Sequence, residues 1–106
     1  MIRAELFTFS NGKGAGFCIS GHSGAEEAGY DIVCAAVSSA AYLVANTITD
    51  VIEVKARVNV KDGYMDCIIA SEDAEACEIL FKGFRLHLEA LSQQYPQNIQ
   101  IIDTEV

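Results

Sequence analysis

Hydrophobic positions change their period along the chain, and each change marks an element. Ile2 to Phe9 mix aliphatic and aromatic side chains and predict a strand, with Asn11-Gly12-Lys13-Gly14 as the turn after it. Phe17 to Ser20 predict a second short strand, paired with the first as a hairpin. Gly21 to Tyr30 hold three glycines, two acids and no apolar period, which predicts a loop. Val33, Val37, Ala40, Val44 and Ile48 then recur at helical spacing. Asp31 stands just before that stripe as an N-cap, which makes Ile32, Val33 and Cys34 the first three helical residues.

In the second half, Val54, Ala56, Val58 and Val60 alternate with Lys55, Arg57 and Asn59, the period of a half-buried strand. Asp62-Gly63 turns the chain into a hairpin partner over Met65 to Ile69. A helix from about Asp73 to Tyr95 carries the stripe Cys77, Leu80, Phe81, Phe84, Leu88 and Leu91. Acids in its first turn suit the helix dipole, Pro96 ends it, and Ile99 to Ile102 form a last strand. The order ββαββαβ predicts one α+β domain over residues 1–106, a mostly antiparallel sheet with two helices. The two ββα halves share a pattern but not their residues.

Composition narrows the function classes. With 106 residues and 51% apolar content the chain can bury roughly 65% of its unfolded surface without staples. No uninterrupted apolar run approaches the roughly 20 residues of a membrane span, and the start of the chain lacks the pattern of a signal peptide. A cytoplasmic protein with no membrane partner is expected. Cys18, Cys34, Cys67 and Cys77 include no Cys-x-x-Cys pair, and neither histidine stands at zinc-finger spacing, so no metal and no cofactor are expected. The net charge of −8 disfavours direct nucleic-acid binding and favours a basic polypeptide partner.

The reactive groups gather in residues 21–38. Cys34, at the start of the predicted helix, would lie near free backbone amides and the positive end of the helix dipole, an environment that favours thiolate. His22 precedes it by 12 residues (34 − 22) in the glycine-studded loop, a route by which an imidazole reaches the sulfur. Each group alone has a plainer reading: free cysteines are usually buried, and loop histidines are usually solvated. Asp31 either caps the helix or orients His22, and Ser38 either lines a site with Cys34 or is a small packing residue. Glu26 and Glu27 either attract a basic segment or form a solvated pair. Cys67 and Cys77 fall on apolar faces, Cys18 near the loop base, and His87 on the polar side of the second helix.

Gly21-His22-Ser23-Gly24, followed by Gly29-x-Asp31-Ile32-Val33-Cys34-Ala35-Ala36-Val37-Ser38, resembles the ribosomal-processing cysteine protease Prp family. The His-to-Cys spacing, the chain length and the element order agree with that resemblance. It implies Cys34 as nucleophile, His22 as general base, and Asp31, Ser38 and Gly21 close to that dyad. It further implies that Ser23, Gly24, Glu26, Glu27 and Gly29 belong to a mobile loop that meets substrate. Glu26 departs from the small residue expected at its position. The implied activity is removal of the N-terminal extension of a large-subunit ribosomal protein by a cytoplasmic homodimer. The amides at the helix start, that of Cys34 included, would hold the oxyanion. Two rivals stand beside it: a non-catalytic peptide-binding module associated with ribosome assembly, and a thiol-redox protein pairing Cys34 with Cys18 or another cysteine.

Overall fold

A computed structural model of the chain describes residues 1–21 and 28–106, with residues 28–31 described by their backbone alone. The strands β1 (Ile2–Thr8) and β2 (Gly14–Ser20) form the first hairpin, and α1 (Ala28–Asn46) follows. A second hairpin, β3 (Arg57–Lys61) and β4 (Tyr64–Ile68), leads into α2 (Ala74–Gln94) and then β5 (Ile99–Glu105). The predicted ββαββαβ order and α+β class are those of the structure. The sheet runs β3-β4-β2-β1-β5. Three of its four pairings are antiparallel; β1 and β5 pair in parallel, Ile2 opposite Ile99 through Thr8 opposite Glu105. That parallel pair joins the two ends of the sequence and makes the sheet mixed.

The alternation of each strand decides which face meets the helices. Ile2, Ala4 and Leu6 of β1, Phe17 and Ile19 of β2, and Met65 and Cys67 of β4 are buried on one face. Val33, Val37, Ala41, Val44 and Ile48 from the α1 segment, with Cys77, Phe84 and Leu88 of α2, close over them as a single core. Of the expected helical stripes, Val33, Val37, Val44, Ile48, Cys77, Phe84 and Leu88 are buried, while Ala40, Leu80, Phe81 and Leu91 are partly buried and pack against that core, and Ala41 is sealed in place of Ala40. Phe17 and Phe84 meet edge-on, ring centroids 4.9 Å apart at 63°.

Two departures from the sequence reading concern α1. Its helix begins at Ala28, so Asp31 is the fourth helical residue and not the cap, and Gly29 lies in the first turn. At its other end the helix widens into a π-turn over Thr47–Val51. There the Thr47 hydroxyl donates to the Leu43 carbonyl at 2.6 Å and the Thr49 hydroxyl to that of Ala45 at 3.1 Å. Such bonds back to the preceding turn compete with the helix ladder and loosen it.

A third departure follows from the same element. Ile32–Val51 form a helical stretch long and apolar enough to cross a bilayer by length and composition. Its Val33, Val37, Ala41, Val44 and Ile48 stripe is packed on the sheet, which is how a central core helix reaches that composition. The strand expected from Val54 begins only at Arg57. Ahead of it Glu53 takes a left-handed φ of 62°, and the Val54 amide donates to the Ile48 carbonyl at 2.9 Å.

Candidate active site

Cys34 occupies the second turn of α1, half-buried, with Val33 before it and Val37 one turn on fixed in the core. Ser38 stands one turn further on the same helical face and is exposed. The two line a cleft of about 310 Å³ between the middle of α1 and the β3–β4 hairpin. Its floor is apolar, from Ile2, Ile19, Val37 and Met65, and Tyr42 flanks it on the helix side. Val60, Lys61, Asp62, Gly63 and Tyr64 make the facing wall. An open, partly apolar trough with a sulfur at one side is suited to an extended peptide.

Gly21 also lines this cleft. Its φ of +102° is open to glycine and costly for other residues. A Cβ there would stand 2.4 Å from the Met1 carbonyl oxygen, so the backbone approach itself requires glycine. The Gly21 amide donates to the Gly63 carbonyl at 3.1 Å, fixing the end of β2 to the turn of the second hairpin. The residue before His22 is therefore held at the rim of the cleft that contains Cys34. His22, Ser23, Gly24, Glu26 and Glu27 lie outside the described residues, and so does the side chain of Asp31.

The earlier helix start alters one expectation. The amides without an intrahelical acceptor belong to the first turn, residues 28–31, and Cys34 stands three residues beyond them. The Cys34 amide is thus not a free oxyanion donor of the helix start. Of the residues singled out in the sequence, the structure brings Gly21, Cys34 and Ser38 to one cleft. The hairpin wall and Tyr42 were not foreseen. Asp62-Gly63 announces a turn, but nothing local in the sequence says that this turn faces Cys34.

The other thiols are placed differently. Cys67 and Cys77 are fully buried in the core. Cys18 lies on the sheet face opposite Phe17 and Ile19, in register with Glu5 and Asp66 and beside the Tyr64 hydroxyl. The sheet separates it from the helix layer that bears Cys34, so the redox pairing of Cys34 with Cys18 has no geometric support. All four cysteines are free. On that outer face Tyr64 donates to Asp66 at 2.5 Å, Asn59 donates to Asp66 at 3.0 Å, and the Thr104 hydroxyl donates to Glu5 at 2.6 Å. Among the described residues no group of three or more histidine, cysteine or acidic side chains is arranged to hold a metal ion.

Burial pushes the Cys67 thiol up to about 11 from 9.0, with nearby Cys77 and Asp66 adding to the shift. Cys77 and Cys18 are also raised, in both cases first by burial. A thiol raised by folding holds its proton more tightly in the folded state. Its contribution is complete below about pH 9 and is lost as pH rises toward 11. Cys67 alone accounts for about 2 kcal/mol between pH 9 and pH 11. Urea unfolding at pH 9 and pH 11 is expected to show a loss of at least that order; equal stabilities would contradict it.

The sequence profile of the family described as "Cysteine protease Prp" matches residues 1–100. The chain belongs to this family. It is a cysteine protease of the Prp type. Solved structures share the fold over nearly all of its length. An essential ribosomal processing protease Prp from S. aureus, solved with a substrate peptide, superposes with a TM-score of 0.87 at 21% identity, covering 98% of this chain and 100% of that one. The same protease with a covalently linked product peptide gives 0.85 at 22% identity, with the same coverage. SMU.848 from Streptococcus mutans gives 0.82 at 28% identity, covering 100% of this chain and 96% of the other. No curated protein sequence matches this Prp family member.

Proposed function

We propose that Cys34 is the nucleophile and His22 the general base of an endopeptidase that removes the N-terminal extension of a large-subunit ribosomal protein. The observation that carries this reading is the placement of Cys34, alone among the four cysteines, in an open peptide-sized cleft. The S. aureus protease solved with substrate and with covalently linked product supports the substrate class. His22 takes the Cys34 proton, and the sulfur attacks the scissile carbonyl. The tetrahedral adduct collapses to a thioester as the departing amine receives that proton from His22. Water, deprotonated by His22, then attacks the thioester and releases the acid and the thiol. Ser38 and Gly21 line the site, and Asp31 orients His22.

A net charge of −8 draws a basic precursor toward the chain and speeds encounter. The reading includes a cytoplasmic setting, which the four free thiols support. It also includes a homodimer. The outer side of the helix pair supports that part, with an apolar groove of about 730 Å³ lined by Leu43, Val44, Ile79, Leu80 and Phe84. There Leu43 is 67% and Ile79 86% exposed, more apolar surface than a small monomer usually leaves to water.

The test is a synthetic peptide spanning the N-terminal junction of the ribosomal protein. The wild-type chain is expected to cleave it at one bond, and His22→Ala to lower kcat by about 10² to 10⁴-fold. Binding without cleavage by the wild type would transfer the chain to the peptide-binding module. Full activity of His22→Ala would remove His22 from the mechanism.

A further inference from the structure

The groove on the outer side of the helix pair holds a titratable group that peptide hydrolysis does not use. The sequence pattern puts His87 on the polar side of α2, but the structure sets it in this groove. It lines the groove with Leu80 and Leu91 of its own helix and with Ala36, Ala40 and Leu43 of α1. Among the described residues, Ser39 is the only other polar side chain there.

No fixed charge faces that imidazole from either helix. Ile32 to Asn46 of α1 contain no acidic or basic side chain, and Cys34 and Tyr42 face the cleft on the other side. Asp50, at the far end of the same segment, accepts from the Thr49 hydroxyl. On α2 the nearby charges are paired on the side turned to β1 and β5, Lys82 with Glu78 and Arg85 with Glu89 and Asp103.

The surface around the groove is apolar as well. Ile32, Ala36, Ser39 and Leu43 share one face of α1 by their spacing, as Ile79, Gly83, Leu86 and Ala90 do on α2. Ile32 is 61% and Leu86 69% exposed, beside the Leu43 and Ile79 already described. These four side chains offer on the order of 500 Å² per copy, so two copies bury about the 1,000 Å² that a specific interface needs. Two chains of net charge −8 repel at a distance, and this face lets them meet because it opposes no like charges.

We propose that a second copy of the chain covers this groove and that proton uptake by His87 releases it. The proposal rests on the homodimer included in the proposed function. Covered by apolar side chains, an imidazole loses the water that stabilises its charged form, so the pair retains the neutral ring. In the separated copies the ring is exposed to water, where histidines take up a proton between pH 8 and pH 5. In acid the pair therefore binds fewer protons than two free copies, one fewer per chain. Association has its full strength at pH 8 and weakens as pH falls.

Sedimentation equilibrium of the intact chain from pH 8 to pH 5.5 tests this. The dimer Kd of the wild type is expected to rise about tenfold or more, with log Kd against pH approaching a slope of two. General charge acts the other way: carboxylates that gain protons lessen the repulsion between copies and would tighten the pair. His87→Gln and His87→Leu are expected to abolish the rise, and His22→Ala, which removes the other histidine, to keep it. A wild-type Kd indifferent to pH, or a rise that survives both His87 variants, overturns the proposal and leaves the dimer in place. Ile79→Glu is expected to give a monomer at pH 8; a dimer unaffected by it is held by another face, which also overturns the proposal. A wild type that stays monomeric at pH 8 overturns the dimer as well, while cleavage of the junction peptide decides the peptidase reading separately.

Discussion

Cys34→Ala is expected to lower kcat on the junction peptide by about 10⁵-fold or more, since loss of the nucleophile removes the covalent pathway and not merely one of its aids. Steady-state cleavage followed by chromatography of the products measures it. Stability should hardly change. Cys34 is half-buried at the edge of the core, and the exchange removes one sulfur from a site open to water on one side. A cost of about 1 kcal/mol or less in urea unfolding is expected. Cys18→Ala gives the matching control: that thiol lies on the opposite face of the sheet, and its loss should leave kcat unchanged. Separation of activity from stability at position 34, against no effect at position 18, is the signature of a reacting sulfur.

Phe17→Ala is expected to cause the largest loss of stability of any substitution considered. Phe17 is 0% exposed at the centre of β2, between Leu6 and Cys67 in register, with the Phe84 ring against it edge-on. Truncation leaves a cavity where α2 meets the sheet, and such changes cost about 3–5 kcal/mol. That is a large part of the roughly 5–15 kcal/mol by which domains of this size are stable. Denaturant unfolding monitored by circular dichroism measures it; a loss under 1 kcal/mol would mean that the β2–α2 contact does not organise the core. Because the same sheet fixes Gly21 against Gly63, kcat should recover when the variant is assayed well below its melting temperature.

Local periodicity made most of the fold legible. Val33, Val37, Val44 and Ile48 repeat at 3.6, Cys77, Phe84 and Leu88 do the same, and these are the side chains that the structure buries. What period could not supply was partnership. The parallel pairing of β1 with β5 joins residues nearly a hundred positions apart, and no local signal carries that information. The start of α1 was misplaced for a different reason. An aspartate suits both a cap and the first turn of a helix, so Asp31 is compatible with two registers, and the structure adopts the one beginning at Ala28.

The candidate site divides along the same line. Cys34 and Ser38 are four apart on one helix, so their shared face follows from sequence alone. Gly21 stands out in the sequence only as a glycine beside a histidine. Its +102° φ and the Met1 carbonyl 2.4 Å from the position of a Cβ become visible once β1 and β2 are paired. The hairpin wall of Val60 to Tyr64 requires the β2–β4 pairing as well, which places the second hairpin beside the first. Long-range pairing therefore built the half of the cleft that sequence could not reveal.

Intact-mass spectrometry of the chain quenched in acid during turnover of the junction peptide shows whether Cys34 carries the acyl group. A species heavier by the acyl half of the peptide is expected, its thioester mapped by fragmentation to the segment containing Cys34, that decays as free acid accumulates. An acyl adduct on any other residue, or full turnover with none on Cys34 and undiminished cleavage by Cys34→Ala, would contradict it.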